Sequence, residues 1–338
     1  MTEGRSAIGG SQLHAELLGI WCRLLETASL SIDDDFFESG GDSLLATEMV
    51  REVERRLGKS IPPSLLFEAS TIRLLAEFLS GPAMQHPKPV FPVVPFGKKT
   101  PLLFFHGDWT NGGFYLKLLT HALGAEQPMI AVAPHGFHGE KVPPTVEEMA
   151  ADRLAQILAL QPHGPYRLGG HCVGGKVALE TARLLLARGE QVEAVVMVDP
   201  VWPVDGRPWP EIKTPPPGSY AEKVVDALRR RSIGAAKLGY RHIMGRGQIP
   251  TLLEQYDRAL AIYVPQPIAA PVIVFSSQYD GGKWRDVSPD FVLFEEPGAH
   301  YDWVTVNAGM FAEHLRKRFE SVGERPDERA LRASSISP

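Results

Sequence analysis

The stretch Pro165-Tyr166-Arg167-Leu168-Gly169-Gly170-His171-Cys172-Val173-Gly174-Gly175 constrains this chain more than any other. Its centre, Gly170-His171-Cys172-Val173-Gly174, places one nucleophilic side chain between two glycines. An apolar run, Tyr166–Gly169, precedes it and reads as a strand, and Val173–Arg188 follows with helical periodicity. A strand that passes into a helix at one residue must turn sharply, and flanking glycines let the turn close without a side-chain clash. The turn lifts the central side chain above the sheet, at a helix N-terminus where the local field favours a thiolate.

The surrounding sequence supplies the rest of such a fold. Short apolar runs at Leu102–His106, Met129–Ala133, Tyr166–Gly169, Ala194–Val198, Val272–Ser276 and Val292–Phe294 read as strands. Helical periods lie between them at Gly112–Leu123, Thr145–Leu160, Val173–Arg188 and Val304–Arg318. Buried strands alternating with helices imply a mostly parallel sheet covered on both faces. No strand is evident from Asp199 to Pro271, a stretch too long for a simple connection, and helices are expected there at about Tyr220–Arg231 and Pro250–Tyr263. The polar tail 321–338 is expected to be disordered.

The first 80 residues have another character. Residues 11–28 read as an amphipathic helix with Leu13, Leu17, Trp21 and Leu24 on one face. A loop rich in Asp and Gly spans 29–42, then a helix Ser43–Leu57, a helical turn Ser64–Glu68 and a helix Thr71–Leu79. Residues 81–98, with proline at 82, 87, 89, 92 and 95, form an extended linker, though its second half is also readable as a first strand. Residues 1–80 carry 7 basic and 13 acidic side chains, a net charge of −6, and the remainder carries +1. An acidic module beside a near-neutral domain suits docking on basic surfaces and excludes nucleic-acid binding as a leading function. The sequence has no apolar run of membrane-spanning length and no secretory leader pattern, and its two cysteines, Cys22 and Cys172, lie in unrelated segments; a cytoplasmic protein without disulfides is expected.

In the acidic module the string Asp33-Asp34-Asp35-Phe36-Phe37-Glu38-Ser39-Gly40-Gly41-Asp42-Ser43-Leu44-Leu45 puts Ser43 at a helix N-terminus, with Asp42 or Ser43 able to cap it. An isolated Gly-Asp-Ser would be no more than a cap. The longer string resembles the phosphopantetheine attachment site of peptidyl and acyl carrier domains of nonribosomal peptide and polyketide synthases. The resemblance covers residues 10–80 and implies a four-helix carrier bundle bearing 4'-phosphopantetheine on Ser43. Ser39 departs from that pattern, which has a larger apolar residue there. Cys22, beside Trp21, reads as a small core residue.

In the larger domain the partners of Cys172 must come later in the chain. Asp199 ends the strand Ala194–Val198, Asp280 follows the strand Val272–Ser276, and His300 precedes the last helix. Residues 101–319 resemble the type I thioesterase domains that terminate nonribosomal peptide and polyketide assembly lines, with cysteine where most relatives have serine. That resemblance implies an α/β-hydrolase domain at 99–320 with a helical lid at about 203–265, and favours Asp199 over Asp280 as the acid. It implies a Cys172–His300–Asp199 triad, with an oxyanion hole from the backbone N–H of Val173 and of Gly107 or Asp108. His106 is then structural and His171 the variable position of the turn. The lid's Lys223, Arg229, Arg230, Arg231, Lys237, Arg241 and Arg246 read as a solvated face or as a surface for the acidic carrier or the arm's phosphate.

The resemblance further implies an acyl or peptidyl thioester substrate, a phosphopantetheinyl transferase, and adenylation or condensation enzymes acting in trans or in cis, with neither nucleic acid, membrane nor metal involved. Two other readings stand beside it. A dienelactone-hydrolase-like enzyme also uses cysteine at this turn but has no need of Ser43, and an inactive carrier or binding module would have no need of the intact Cys, Asp and His.

Overall fold

The computed structural model describes residues 10–41, 43–59, 61, 65–81, 88–108, 113, 115–137, 140–200, 252–277 and 281–322. The expectations for Asp42, the basic lid residues, Asp280 and the tail after residue 322 lie outside them. The chain divides into two compact units, residues 1–88 with 108–114, and residues 89–107 with 115–338.

Among the described residues the first unit contains four helices: α1 (Gly10–Leu24), α2 (Ser43–Leu57), α3 (Leu65–Glu68) and α4 (Ile72–Ser80). Apolar residues at helical spacing drive their packing. Leu13, Leu17, Ile20 and Trp21 of α1 are buried, as are Ala46, Met49 and Val53 of α2 and Ile72, Leu75 and Leu79 of α4. Helix α1 stops at Leu24, four residues short of the expected end. Glu26 takes φ 51°, and the Thr27 N–H donates to the Cys22 carbonyl at 3.0 Å, which closes the helix end in the manner of a left-handed cap. Thr71 caps α4, its hydroxyl accepting from the Leu74 N–H at 3.2 Å.

The second unit is built on a seven-stranded sheet of order β1-β3-β2-β4-β5-β6-β7. The strands are β1 (Val90–Val94), β2 (Leu102–Phe105), β3 (Met129–Val132), β4 (Tyr166–His171), β5 (Val192–Val198), β6 (Val272–Ser276) and β7 (Phe291–Glu295). β1 runs antiparallel to β3, while every other neighbouring pair is parallel. β1 occupies the second half of the proline-rich stretch. It accommodates Pro92, which lacks an N–H, because it is an edge strand with a register shift between Pro92 and Val94.

Among the described residues the unit also contains helices α5 (Tyr115–Leu123), α6 (Val146–Leu160), α7 (Val173–Ala187), α8 (Leu252–Ala261) and α9 (Ala308–Val322). The helix expected from Val304 is divided: a 3₁₀ turn covers Asp302–Val304 and α9 begins at Ala308. The Asn307 N–H donates to the Asp302 carbonyl at 2.7 Å, which diverts the chain before α9 starts. Residues Leu102–Phe105 of β2 and Val272–Ser276 of β6 are wholly buried. The short central strands thus read as continuous apolar runs rather than alternating ones. Among the described residues no helix is long and apolar enough to cross a membrane.

Candidate active site and carrier segment

Cys172 stands between β4 and α7 at φ 56° and ψ −122°. This is a costly backbone conformation for a residue with a Cβ, and it persists only where the surroundings impose it. Here the Cys172 N–H donates to the Val198 carbonyl of β5 at 2.8 Å. Gly174 lets α7 approach β2: a Cβ there would lie 2.0 Å from the Phe105 carbonyl oxygen. Cys172 is 6% exposed. Burial pushes its pKa up to about 11, against the charge of Lys176 and a hydrogen bond from the Val173 N–H, and Asp199 pushes in the same direction as burial. The backbone of Gly107 passes close by, since a Cβ on it would come 3.2 Å from the Cys172 Cβ. Asp108, next in the chain, is buried.

Asp199 follows β5 at φ 43°, anchored by its N–H to the Phe275 carbonyl at 2.8 Å. Its carboxylate is buried and accepts the Ser277 N–H at 2.6 Å and the Ser277 hydroxyl at 2.7 Å. His300 Nδ1 lies 3.7 Å from Asp199 Oδ2, longer than a hydrogen bond. Burial, followed by the neighbouring His171 and Lys176, holds the His300 pKa well below the ordinary imidazole value. The loop carrying His300 is braced by Asp302, which accepts the Ala299 N–H at 2.8 Å.

Three residues that sequence reasoning did not single out belong to this centre. Ser277 holds the carboxylate. His171, read above as a variable position, has Nε2 at 2.8 Å from the His300 carbonyl oxygen. Because a carbonyl only accepts, that nitrogen carries the proton. The His171 ring lies 4.5 Å from that of His300 and 4.7 Å from that of Tyr301. One atom each of His171, Asp199 and His300 lies within 4.8 Å of the others. Lys176, four residues after Cys172, is 2% exposed. A lysine on a fully buried helix face was the one signal available in the sequence. His106 is buried too, its ring edge-on to Phe137 at 6.0 Å. Cys22 is a free, half-buried residue of α1.

In the first unit the acidic string is architectural. Asp35 accepts the Phe37 N–H at 2.8 Å, Asp34 accepts the Ser31 N–H at 2.7 Å, and Asp33 makes a two-pronged ion pair with Arg73 at 2.6 and 2.7 Å. Phe36 is buried edge-on to Trp21, with ring centroids 4.9 Å apart. Gly41 lies so close that a Cβ would fall 2.4 Å from the Phe36 ring. The loop is thereby pinned two residues ahead of Ser43, the first residue of α2.

Comparison with known proteins agrees with this architecture. Residues 100–288, more than half of the chain, match the thioesterase domain family, and residues 15–79 match the phosphopantetheine attachment site family. The chain belongs to the thioesterase domain family and joins such a domain to a carrier segment of the kind that bears covalent 4'-phosphopantetheine. It is 37% identical to the indigoidine synthase of Dickeya dadantii (strain 3937) over 191 residues, 56% of this chain and 13% of that protein. It is 38% identical to the malpibaldin synthetase of Mortierella alpina over 187 residues, 54% of this chain and 3% of that protein. The chain therefore spans a small part of these relatives' length. A four-domain nonribosomal peptide synthetase crystallised with AMP and glycine aligns with TM-score 0.54 and 23% identity over 94% of this chain and 27% of its own, a likeness of fold.

Proposed function

We propose that this chain is a carrier–thioesterase pair of natural-product biosynthesis: a four-helix carrier bundle takes an acyl or peptidyl group as a thioester on a phosphopantetheine arm at Ser43, and the hydrolase domain transfers it to Cys172 and releases it. What supports the reading is that Cys172 follows β4 and Asp199 follows the neighbouring parallel strand β5, with His300 Nδ1 3.7 Å from Asp199 Oδ2, in a chain that also matches the phosphopantetheine attachment family. The loop before Ser43 fits the arm, since the Phe36–Gly41 contact fixes where α2 begins and a helix N-terminus favours a phosphate. The arm supplies a thiol that holds the acyl group as a thioester. A phosphopantetheinyl transferase would install it, and adenylation or condensation enzymes would supply the acyl group. A dienelactone-hydrolase-like reading leaves residues 15–79 without a use.

In this mechanism His300, oriented by Asp199, manages the protons, and Cys172 Sγ attacks the acyl carbon of the thioester substrate. The N–H groups of Val173 and of Gly107 or Asp108 stabilise the oxyanion. The acyl group then rests on Cys172 as a thioester, more reactive than the ester a serine would form. It passes to water, or to an amine or hydroxyl of the chain itself, so release is hydrolysis, cyclisation or amide formation. The retained reactivity suits a demanding acceptor, such as one forming a lactam or strained lactone.

Intact-mass spectrometry during turnover of the loaded protein tests the scheme, with the acyl mass expected on Ser43 first and then on Cys172. Absence of acyl mass on Cys172 under trapping conditions overturns it. Asp199→Asn is expected to lower kcat at least about 100-fold, by analogy of role with triad acids, while Asp280→Asn stays near wild type. Cys172→Ser releasing the same product at an equal rate would remove the proposed advantage of cysteine.

A further inference from the structure

Helix α7 buries three polar side chains, Lys176, Glu180 and Thr181, and Lys176 is the one nearest the elbow. Lys176 is among the largest fully buried side chains of the described residues. Positions i and i+4 of a helix share a face, and helical side chains lean toward the N-terminus. Lys176 lies in the first turn of α7, four residues after Cys172, with its side chain buried. At Cys172 burial dominates and disfavours the thiolate, and the charge of Lys176 opposes it; at His300 burial and His171 disfavour an imidazolium, and Lys176 adds to them.

Other titratable groups surround this place. His171 ends β4, Asp199 follows β5 and opposes Lys176 at the thiol, and His300 comes from the loop before α9. His106, after β2, lines the same wall as Val173. Farther along α7, Glu180 is engaged by Arg183 at 2.6 Å and by the Tyr263 hydroxyl at 3.1 Å, with Glu147 of α6 acting on both of those partners.

Resting on the reading of Cys172 as nucleophile, we propose that Lys176 is a positioning residue: a fixed counter-ion for the Cys172 thiolate, in place of His300. An imidazolium paired with a thiolate cannot accept a second proton. With Lys176 as the counter-ion, the thiol proton goes to solvent and His300 keeps its lone pair for the acceptor. In the transfer step the Cys172 thiolate bonds to the acyl carbon, the bond to the substrate's thiol sulfur breaks, and that sulfur leaves with the electron pair and takes a proton from water. In release, His300 takes the acceptor's O–H or N–H proton as the acceptor atom bonds to the acyl carbon. The bond to Cys172 breaks, its sulfur departs as a thiolate beside Lys176, and His300 returns its proton to solvent. The cation thus serves the enzyme in both half-reactions.

The test is the rate of Cys172 alkylation by iodoacetamide between pH 6 and 10, in the full chain with Cys22→Ser as background, with the adduct mapped by peptide mass. Below its midpoint the rate follows the thiolate fraction. Lys176→Met is expected to displace the pH–rate line by one unit or more to the alkaline side, a tenfold or greater slowing at each pH, and Lys176→Arg to stay within threefold of the parent. His300→Ala, which leaves Lys176 untouched and so reads the same question should the lysine variants not fold, is expected to displace the line less than tenfold. The proposal is overturned if Lys176→Met stays within threefold of the parent, or if His300→Ala displaces the line tenfold or more. Failure of the nucleophile reading is separate: the acyl mass would then be missing from Cys172 in the parent, whatever the alkylation lines show.

Discussion

Cys172 concentrates several costs at one residue: a left-handed backbone, near-complete burial and a thiol whose pKa is raised to about 11. The last has a consequence for stability. Above the ordinary value of 9 the unfolded thiol ionises while the folded one stays protonated, so the unfolded state binds fewer protons and stability falls as pH rises toward 11. Serine does not titrate there. Urea unfolding of wild type and Cys172→Ser is expected to show the serine variant gaining about 2 kcal/mol relative to wild type between pH 8 and 10.5. Ser277 offers a second test. Its N–H and hydroxyl both bond the Asp199 carboxylate, so Ser277→Ala removes one bond to a buried charge. A loss of about 1.5–3 kcal/mol in stability and a fall in kcat with KM little changed are expected, from unfolding curves and steady-state kinetics. Neither Ser277 nor His171 was legible beforehand, because their importance comes from the groups they face: Ser277 reaches Asp199 across 78 positions and His171 reaches His300 across 129.

At the scale of elements, the turn between β4 and α7 and the loop before α2 both depend on a glycine that brings backbone against its neighbours. At Gly174 a Cβ would lie 2.0 Å from the backbone oxygen of Phe105. Backbone cannot swing aside as a side chain can, so Gly174→Ala is expected to destabilise the protein by more than about 2 kcal/mol and to abolish acyl transfer, measurable by thermal unfolding and by intact mass. Most element positions followed from period and apolar runs; β6, Val272–Ser276, falls where the sequence put it. Departures cluster where a turn rather than a pattern decides. Glu26 ends α1 early by entering the left-handed region, and Asp302 captures the Asn307 N–H and splits the last helix. Pro92 argued for a spacer, yet an edge strand has room for it.

At the scale of the molecule, two units carry two chemistries that are expected to separate by substitution. Ser43→Ala should block mass gain on treatment with a phosphopantetheinyl transferase, while the rate of acyl transfer to Cys172 from a small soluble thioester stays within about threefold of wild type, since substitutions distant from a site seldom couple to it. Mass spectrometry of the two reactions distinguishes this from a protein in which Ser43 also serves the hydrolase chemistry, where both would fail.

The local signals were in the chain itself. A glycine-flanked cysteine between a strand and a helix, and an acidic Gly-Gly-Asp-Ser string before a helix, are short-range patterns whose conformations follow from adjacent residues. They were enough to expect a parallel sheet with Cys172 at its turn and a helix beginning at Ser43. What the tertiary structure decided is the company those residues keep. Asp199 and His300 come within 3.7 Å, Ser277 takes the carboxylate's hydrogen bonds, His171 takes the His300 carbonyl, and Lys176 is buried in the first turn of α7. Electrostatics depends on distance in space and on exclusion of water, and neither is a function of position along the chain.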